Sequence, residues 1–167
     1  MRTKKLGRLA SLTVVGAMAA AGLTVSTSAA STPKLTTKSF TNNFSAMKQL
    51  KSLAKSGKGK VAAIMPDTVS STRYVEFDQP DIRKALLAAG LPSSDIIIQN
   101  ALGSDATQLT DAQTDISNGA TVLLVDPLDS GVGAQIESYA KARGVKVIDY
   151  DRLTLGGSRA STSASTT

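Results

Sequence analysis

Four residues carry side chains and surroundings suited to recognition chemistry. Asp151 and Arg152 close the stretch "VKVIDYDR", just past an apolar run at 145–148, and Arg73-Tyr74 follows the earlier apolar run at 61–65 in "VAAIMPDTVSSTRY". A carboxylate accepts two hydroxyl protons, and a guanidinium fork donates to two oxygens on neighbouring carbons. Asp151-Arg152 can therefore read a vicinal diol, with Arg73 donating again from the same rim. Tyr74 and Phe77 supply flat apolar faces for C–H groups. Taken singly, Arg73 also reads as a solvated charge at a helix start, and Asp151-Arg152 as a surface ion pair; their meeting at one edge favours binding. Asp67 and Asn100, on neighbouring rim segments, are further candidates. The chain has no Cys and no His. That removes thiol nucleophiles, disulfides, imidazole bases and the common His/Cys metal sites. No catalytic residue, metal ligand or cofactor site is expected.

Elements that would position these residues follow from periodicity. Short β-branched apolar runs at 61–65, 96–98, 121–125 and 145–148 read as strands. Between them lie helical patterns with inner faces at Ile82, Leu86 and Ala89, at Leu109, Ala112 and Ile116, and at Val132, Ile136, Tyr139 and Ala140. Ser71 or Thr72, Asp78 with Pro80, Ser104 or Asp105, and Ser130 are the expected caps. A further helix over 44–54 precedes the first strand. Alternating strands and helices predict an α/β fold: a doubly wound parallel sheet in one Rossmann-like three-layer lobe. Its ligand crevice should lie beyond the strand carboxyl ends, at 66–74, 99–105, 126–130 and 149–152.

The net charge of +6 is unevenly spread. Residues 1–60 hold no acid, whereas 61–167 contain all 13 acidic residues and 8 of the 19 basic ones. The segment expected to fold is thus acidic, which argues against nucleic acid as a partner. Residues 1–30 have a basic start, an apolar stretch and an Ala-rich end, the layout of a secretory signal peptide without a lipid-attachment Cys. The expected organisation is a signal peptide at 1–30, a flexible linker at 31–43, a lobe at 44–159 and a disordered tail at 160–167. The tail also suits a shifted reading frame: moved by one base, the codons of residues 162–167 permit Tyr-Val-Ser-Phe-Asp-Asn, a strand running into a polar rim.

"GKGK" at 57–60 precedes the first strand rather than following it, so it reads as a helix stop and not a phosphate loop. "DSGVGAQI" lacks the third Gly of a dinucleotide fingerprint and reads as a plain helix start. "IDYDRLTL" resembles the nucleophile strand of haloacid-dehalogenase phosphohydrolases, which would make Asp149 and Asp151 a Mg²⁺-dependent phosphoryl-transfer pair. Thr154 falls one residue late for that pattern.

A broader resemblance runs from residue 59 to about 159. "GKVAAIMPDTVSSTRYVEF", "NALGSDATQLTDAQTDISNGATVLLVDPLDS" and "AKARGVKVIDYDR" look like the N-terminal lobe of type I solute-binding proteins of sugar ABC importers, of the xylose- or ribose-binding kind. The resemblance implies a non-enzymatic, monomeric, extracytoplasmic protein that offers a pentose or related monosaccharide to ABC permease subunits. It places sugar contacts at Arg73, Tyr74, Asp151 and Arg152. That family has a second lobe, so the expectation is a truncated periplasmic-binding-protein-like fold with impaired binding.

Overall fold

The computed structural model describes residues 34–163. The signal peptide read at 1–30, the start of the linker and residues 164–167 lie outside the described residues. Five strands, β1 (Lys60–Met65), β2 (Ile96–Asn100), β3 (Ala120–Val125), β4 (Lys146–Tyr150) and β5 (Ser161–Ser163), form one sheet in the order β2-β1-β3-β4-β5. Every pairing is parallel. The fold is the α/β, doubly wound parallel sheet that the sequence predicts.

Parallel strands bury both faces, and β1 shows how. Ala62 and Ile64 point into one core with Leu123, Val125, Val132, Ile136 and Val147. Ala63 and Met65 point into the other, with Tyr74, Ile82, Ile98, Leu124 and Tyr150. This period of two on a continuously apolar strand requires a layer on each side. Helices α3 (Asp105–Ser117) and α4 (Ser130–Lys141) cover the first face, and α2 (Gln79–Ala88) covers the second. The three layers follow.

Helix starts differ in detail from the sequence reading. Ser104 caps α3 as expected, accepting from the Thr107 amide at 3.2 Å. For α4 the cap is Asp129, accepting from Val132 N at 2.9 Å. Ser130, expected in that role, instead accepts the amide of Leu155 at 3.0 Å and ties down the loop after β4. Asp78 caps nothing: a π-helical turn at Tyr74–Asp78 runs directly into α2. The helix expected over 44–54 is a 3-10 turn at Ala46–Leu50 followed by the short α1 (Lys51–Ser56).

Residue 160 onward was expected to be disordered, yet Ser161–Ser163 pairs with Ile148–Tyr150 as β5. The pairing is prepared upstream, where the Ala160 amide donates to Val147 O at 2.8 Å. A parallel edge offers backbone donors and acceptors to any segment delivered in register, and residues of low strand propensity can take them. Likewise Thr37–Ser39, within the expected linker, forms a 3-10 turn.

Candidate functional site

The sheet changes winding direction between β1 and β3, because the chain steps from β1 outward to β2 and then returns to the other side of β1. An open α/β sheet leaves a crevice at such a point, beyond the strand carboxyl ends. Four loops meet there, following β1, β2, β3 and β4.

The first two loops are built by the weaker sequence candidates. Asp67 Oδ1 accepts the amides of Val69 and Ser70 at 2.8 and 2.6 Å, and its other oxygen accepts the Ser70 hydroxyl at 2.5 Å. Those bonds, the Ser70 hydroxyl first, hold its carboxyl below the usual carboxylate range. Asn100 donates to Asp67 O at 2.8 Å and accepts from Leu102 N at 2.9 Å, joining the β1 and β2 loops. Through these bonds both residues shape the rim.

Arg73, Tyr74, Asp151 and Arg152 do come together. Arg73 forks between two carboxylates, with Nη2 2.6 Å from Asp151 Oδ2 and Nε 3.0 Å from Asp78 Oδ2. The bond to Asp151, opposed by burial and aided by Asp78, holds its guanidinium more firmly charged than usual. Asp151 reaches Arg73 because its backbone enters the left-handed region at φ 62°. Asp tolerates that region better than most residues, and the turn ends β4. Arg152 Nη2 donates to the Tyr74 hydroxyl at 3.1 Å, and Nη1 donates to Pro127 O at 3.3 Å. Both guanidinium carbons stand over the Tyr74 ring, 5.2 and 5.9 Å from its centroid.

Exposure separates the reactive groups from their supports. The side chains of Arg73, Arg152 and Asp151 are 35%, 38% and 19% exposed, open enough to meet a ligand. Tyr74 is 3% exposed, so its ring is a base beneath the arginines and not the open face expected of it. Burial, more than the neighbouring charges, pushes its hydroxyl pKa up. Exposed Val69, Leu102, Leu153 and Leu155 stand on the loops around this polar centre.

The sequence reading passed over Asp126, although it marked its loop. Asp126 follows β3 directly, is fully buried, and sits with Oδ1 3.6 Å from Arg152 Nε. Gln108 of α3 locks the loop by donating to Asp126 O at 2.8 Å and accepting from Leu128 N at 3.0 Å. The available signal was an acid placed immediately after a wholly apolar strand on the expected rim.

Asp149 and Asp151 do not form the paired site that phosphoryl transfer requires. Asp149 is 1% exposed and accepts the Thr154 amide at 2.7 Å, with Arg159 Nε at 3.3 Å. Glu137 of α4 lies against it, its pKa raised by burial and then by Asp149. The left-handed turn sends Asp151 away to Arg73, so the two carboxylates serve different partners. Among the described residues no group of three or more His, Cys, Asp or Glu could hold a metal ion.

With this arrangement in view, the likeness to known proteins is informative. Over 99 residues the chain is 33% identical to the multiple sugar-binding periplasmic protein SbpA of Azospirillum brasilense, covering 59% of this chain and 26% of that protein. Over 58 residues it is 33% identical to the D-xylose-binding periplasmic protein of Escherichia coli K12, covering 35% and 18%. The chain is similar to sugar-binding periplasmic proteins. A carbohydrate transporter solute-binding protein from Chloroflexus aurantiacus, solved with D-glucose, matches at TM-score 0.50 and 33% identity over 56% of this chain and 26% of that one. The matches thus span roughly a quarter or less of these relatives. No protein-family model matches. Among the described residues no helix is long and apolar enough to cross a membrane.

Proposed function

We propose that this chain supplies one wall of a monosaccharide site in the substrate-binding component of a sugar ABC transporter. One observation carries the reading. Two partly exposed guanidinium groups and the Asp151 carboxylate converge at the switch point of a parallel sheet, held from below by Tyr74. Those groups match sugar hydroxyls in type, two guanidinium donors and a carboxylate acceptor. Arg73 and Asp151 pair with each other, and a ligand would exchange that pairing for bonds to its own oxygens. The charged groups stand as hydrogen-bond donors and an acceptor, which supports binding as the reading. The relatives are periplasmic, which supports an extracytoplasmic place for this chain, with ABC permease subunits as partners.

A pentose such as xylose is the proposed ligand class, with related monosaccharides as competitors. A wall of this kind leaves much of a sugar in water, so affinity should lie near the millimolar range, worth about −4 kcal/mol. The test is two-dimensional NMR of the full chain titrated with xylose, glucose and, as control, a polyol lacking the ring. Shifts confined to the loops of Arg73, Asp151 and Arg152, and lost in Arg152→Met, support the proposal. Sugar titrations that leave those signals unmoved overturn it.

A further inference from the structure

We propose that Asp126 is a positioning residue for Arg152, presetting its guanidinium in the crevice and thereby tuning ligand affinity. The effect on affinity rests on the sugar-binding reading; the control of Arg152 does not. Asp126 is held from three directions. Its amide donates to Ile64 O at 3.1 Å, its carbonyl accepts from Gln108, and its side chain is fully buried beneath the site. Neither carboxylate oxygen is closed by a well-directed hydrogen bond among the described residues. What flanks the group is the Tyr74 hydroxyl and the Arg152 guanidinium.

Each Arg152 nitrogen meets a different partner: Nη1 the Pro127 carbonyl, Nη2 the Tyr74 hydroxyl, and Nε the Asp126 carboxylate. The first two acceptors are neutral. Among the described residues Asp126 is the only carboxylate within ion-pair distance of Arg152. A buried carboxylate is costly unless it is paired, and among the described residues the cation within ion-pair distance of this one is the group proposed to hold the ligand. Charges facing Asp126 come from the loop after β4, Arg152 and Asp151, and from the π-helical turn and its start, Tyr74 and Arg73. The facing residue of α3, Gln108, is neutral, and Asp67 of the β1 loop senses Arg152 in turn.

Burial pushes the Asp126 carboxyl up to about 7, against the pull of Arg152 and with a further push from Asp151. Below that value the carboxyl is protonated and grips Arg152 weakly. Above it the ion pair forms and fixes the guanidinium. Arg152 order should therefore rise with pH through about 7.

The experiment follows the Nε–Hε NMR signal of Arg152 in the full chain across neutral pH, assigned by its loss in Arg152→Lys. The wild type should show an inflection near 7 that is absent in Asp126→Asn and kept in Tyr74→Phe. A role confined to fold stability would shift the unfolding midpoint of Asp126→Asn and leave the inflection in place. An Arg152 signal whose shift and exchange in Asp126→Asn match the wild type across the whole range overturns the proposal. In a second arm xylose is titrated at the two ends of the range. Affinity should rise severalfold with pH in the wild type and stay level in Asp126→Asn. If xylose shifts nothing in the wild type, the sugar reading fails while the Arg152 signal still decides the role of Asp126.

Discussion

Gly133 offers a prediction whose sign is decided by tertiary packing. It sits in the first turns of α4, where replacing Gly by Ala should stabilise the helix by roughly 1 kcal/mol through backbone entropy. The fold forbids that gain. A Cβ at Gly133 would run into the Thr154 hydroxyl and come within 3.0 Å of Thr154 Cγ2 and 3.1 Å of Pro127 Cβ. Thr154 has little freedom to yield, being β-branched, 1% exposed and anchored through its amide to Asp149. Overpacking of this kind costs about 1–3 kcal/mol, so Gly133→Ala should lose about 1 kcal/mol net. Removing the Thr154 obstacle restores most of the helix gain, with Pro127 still close: in a Thr154→Ala background the same change should stabilise by up to about 1 kcal/mol. The double-mutant coupling should then be about 1–3 kcal/mol. Urea unfolding followed by circular dichroism gives all four midpoints. If Gly133→Ala stabilises the two backgrounds equally, the close approach of α4 to the loop carrying Asp151 and Arg152 is refuted.

Asp115 is 1% exposed, and burial, partly offset by the Gln99 bond, raises its pKa from 3.8 to about 6. An acid whose folded value is raised contributes stability that is present at low pH and lost as pH rises through that value. Asp115→Asn should flatten the fall in unfolding free energy between about pH 4 and 6, a difference on the order of 3 kcal/mol at most; an unchanged slope in pH-dependent urea melts would contradict this. Arg73→Lys should abolish the xylose shifts while altering the unfolding midpoint by less than about 1 kcal/mol, because the pair is partly exposed and only a guanidinium spans Asp78 and Asp151 together; retained sugar shifts would argue against that geometry. Asp149→Asn should destabilise by about 2 kcal/mol by breaking a buried network with Thr154 and Arg159, read from the same melts. Magnesium-dependent phosphatase turnover in the wild type that vanishes in Asp149→Asn would reject the binding reading.

The sequence by itself determined the parallel α/β architecture and the side of it that matters. Runs such as 61–65 and 122–125 are apolar at every position, the pattern of a strand covered on both faces, and their helical partners repeat at 3.6. Once strands are parallel, their carboxyl ends share one edge, so Arg73 and Asp151-Arg152 fall on the same side of the sheet. What the sequence left open depends on contacts between residues far apart in the chain. Asp67 and Asn100 are ligand candidates in the sequence, and only the fold shows them bonded to their own loops, Asp67 to Val69 and Ser70 and Asn100 to Asp67 and Leu102. Tyr74 looks like an open ring until Arg73 and Arg152 are placed above it. Asp149 and Asp151 share a strand pattern until one left-handed residue parts them. Asp126 is marked in the sequence only as an acid after a strand, and its partner appears when Arg152, 26 residues later, folds back over it. Periodicity reports which face of an element is buried; it carries no record of which polar groups meet there, because that pairing is set by loop geometry and by the packing of α2, α3 and α4 around the sheet.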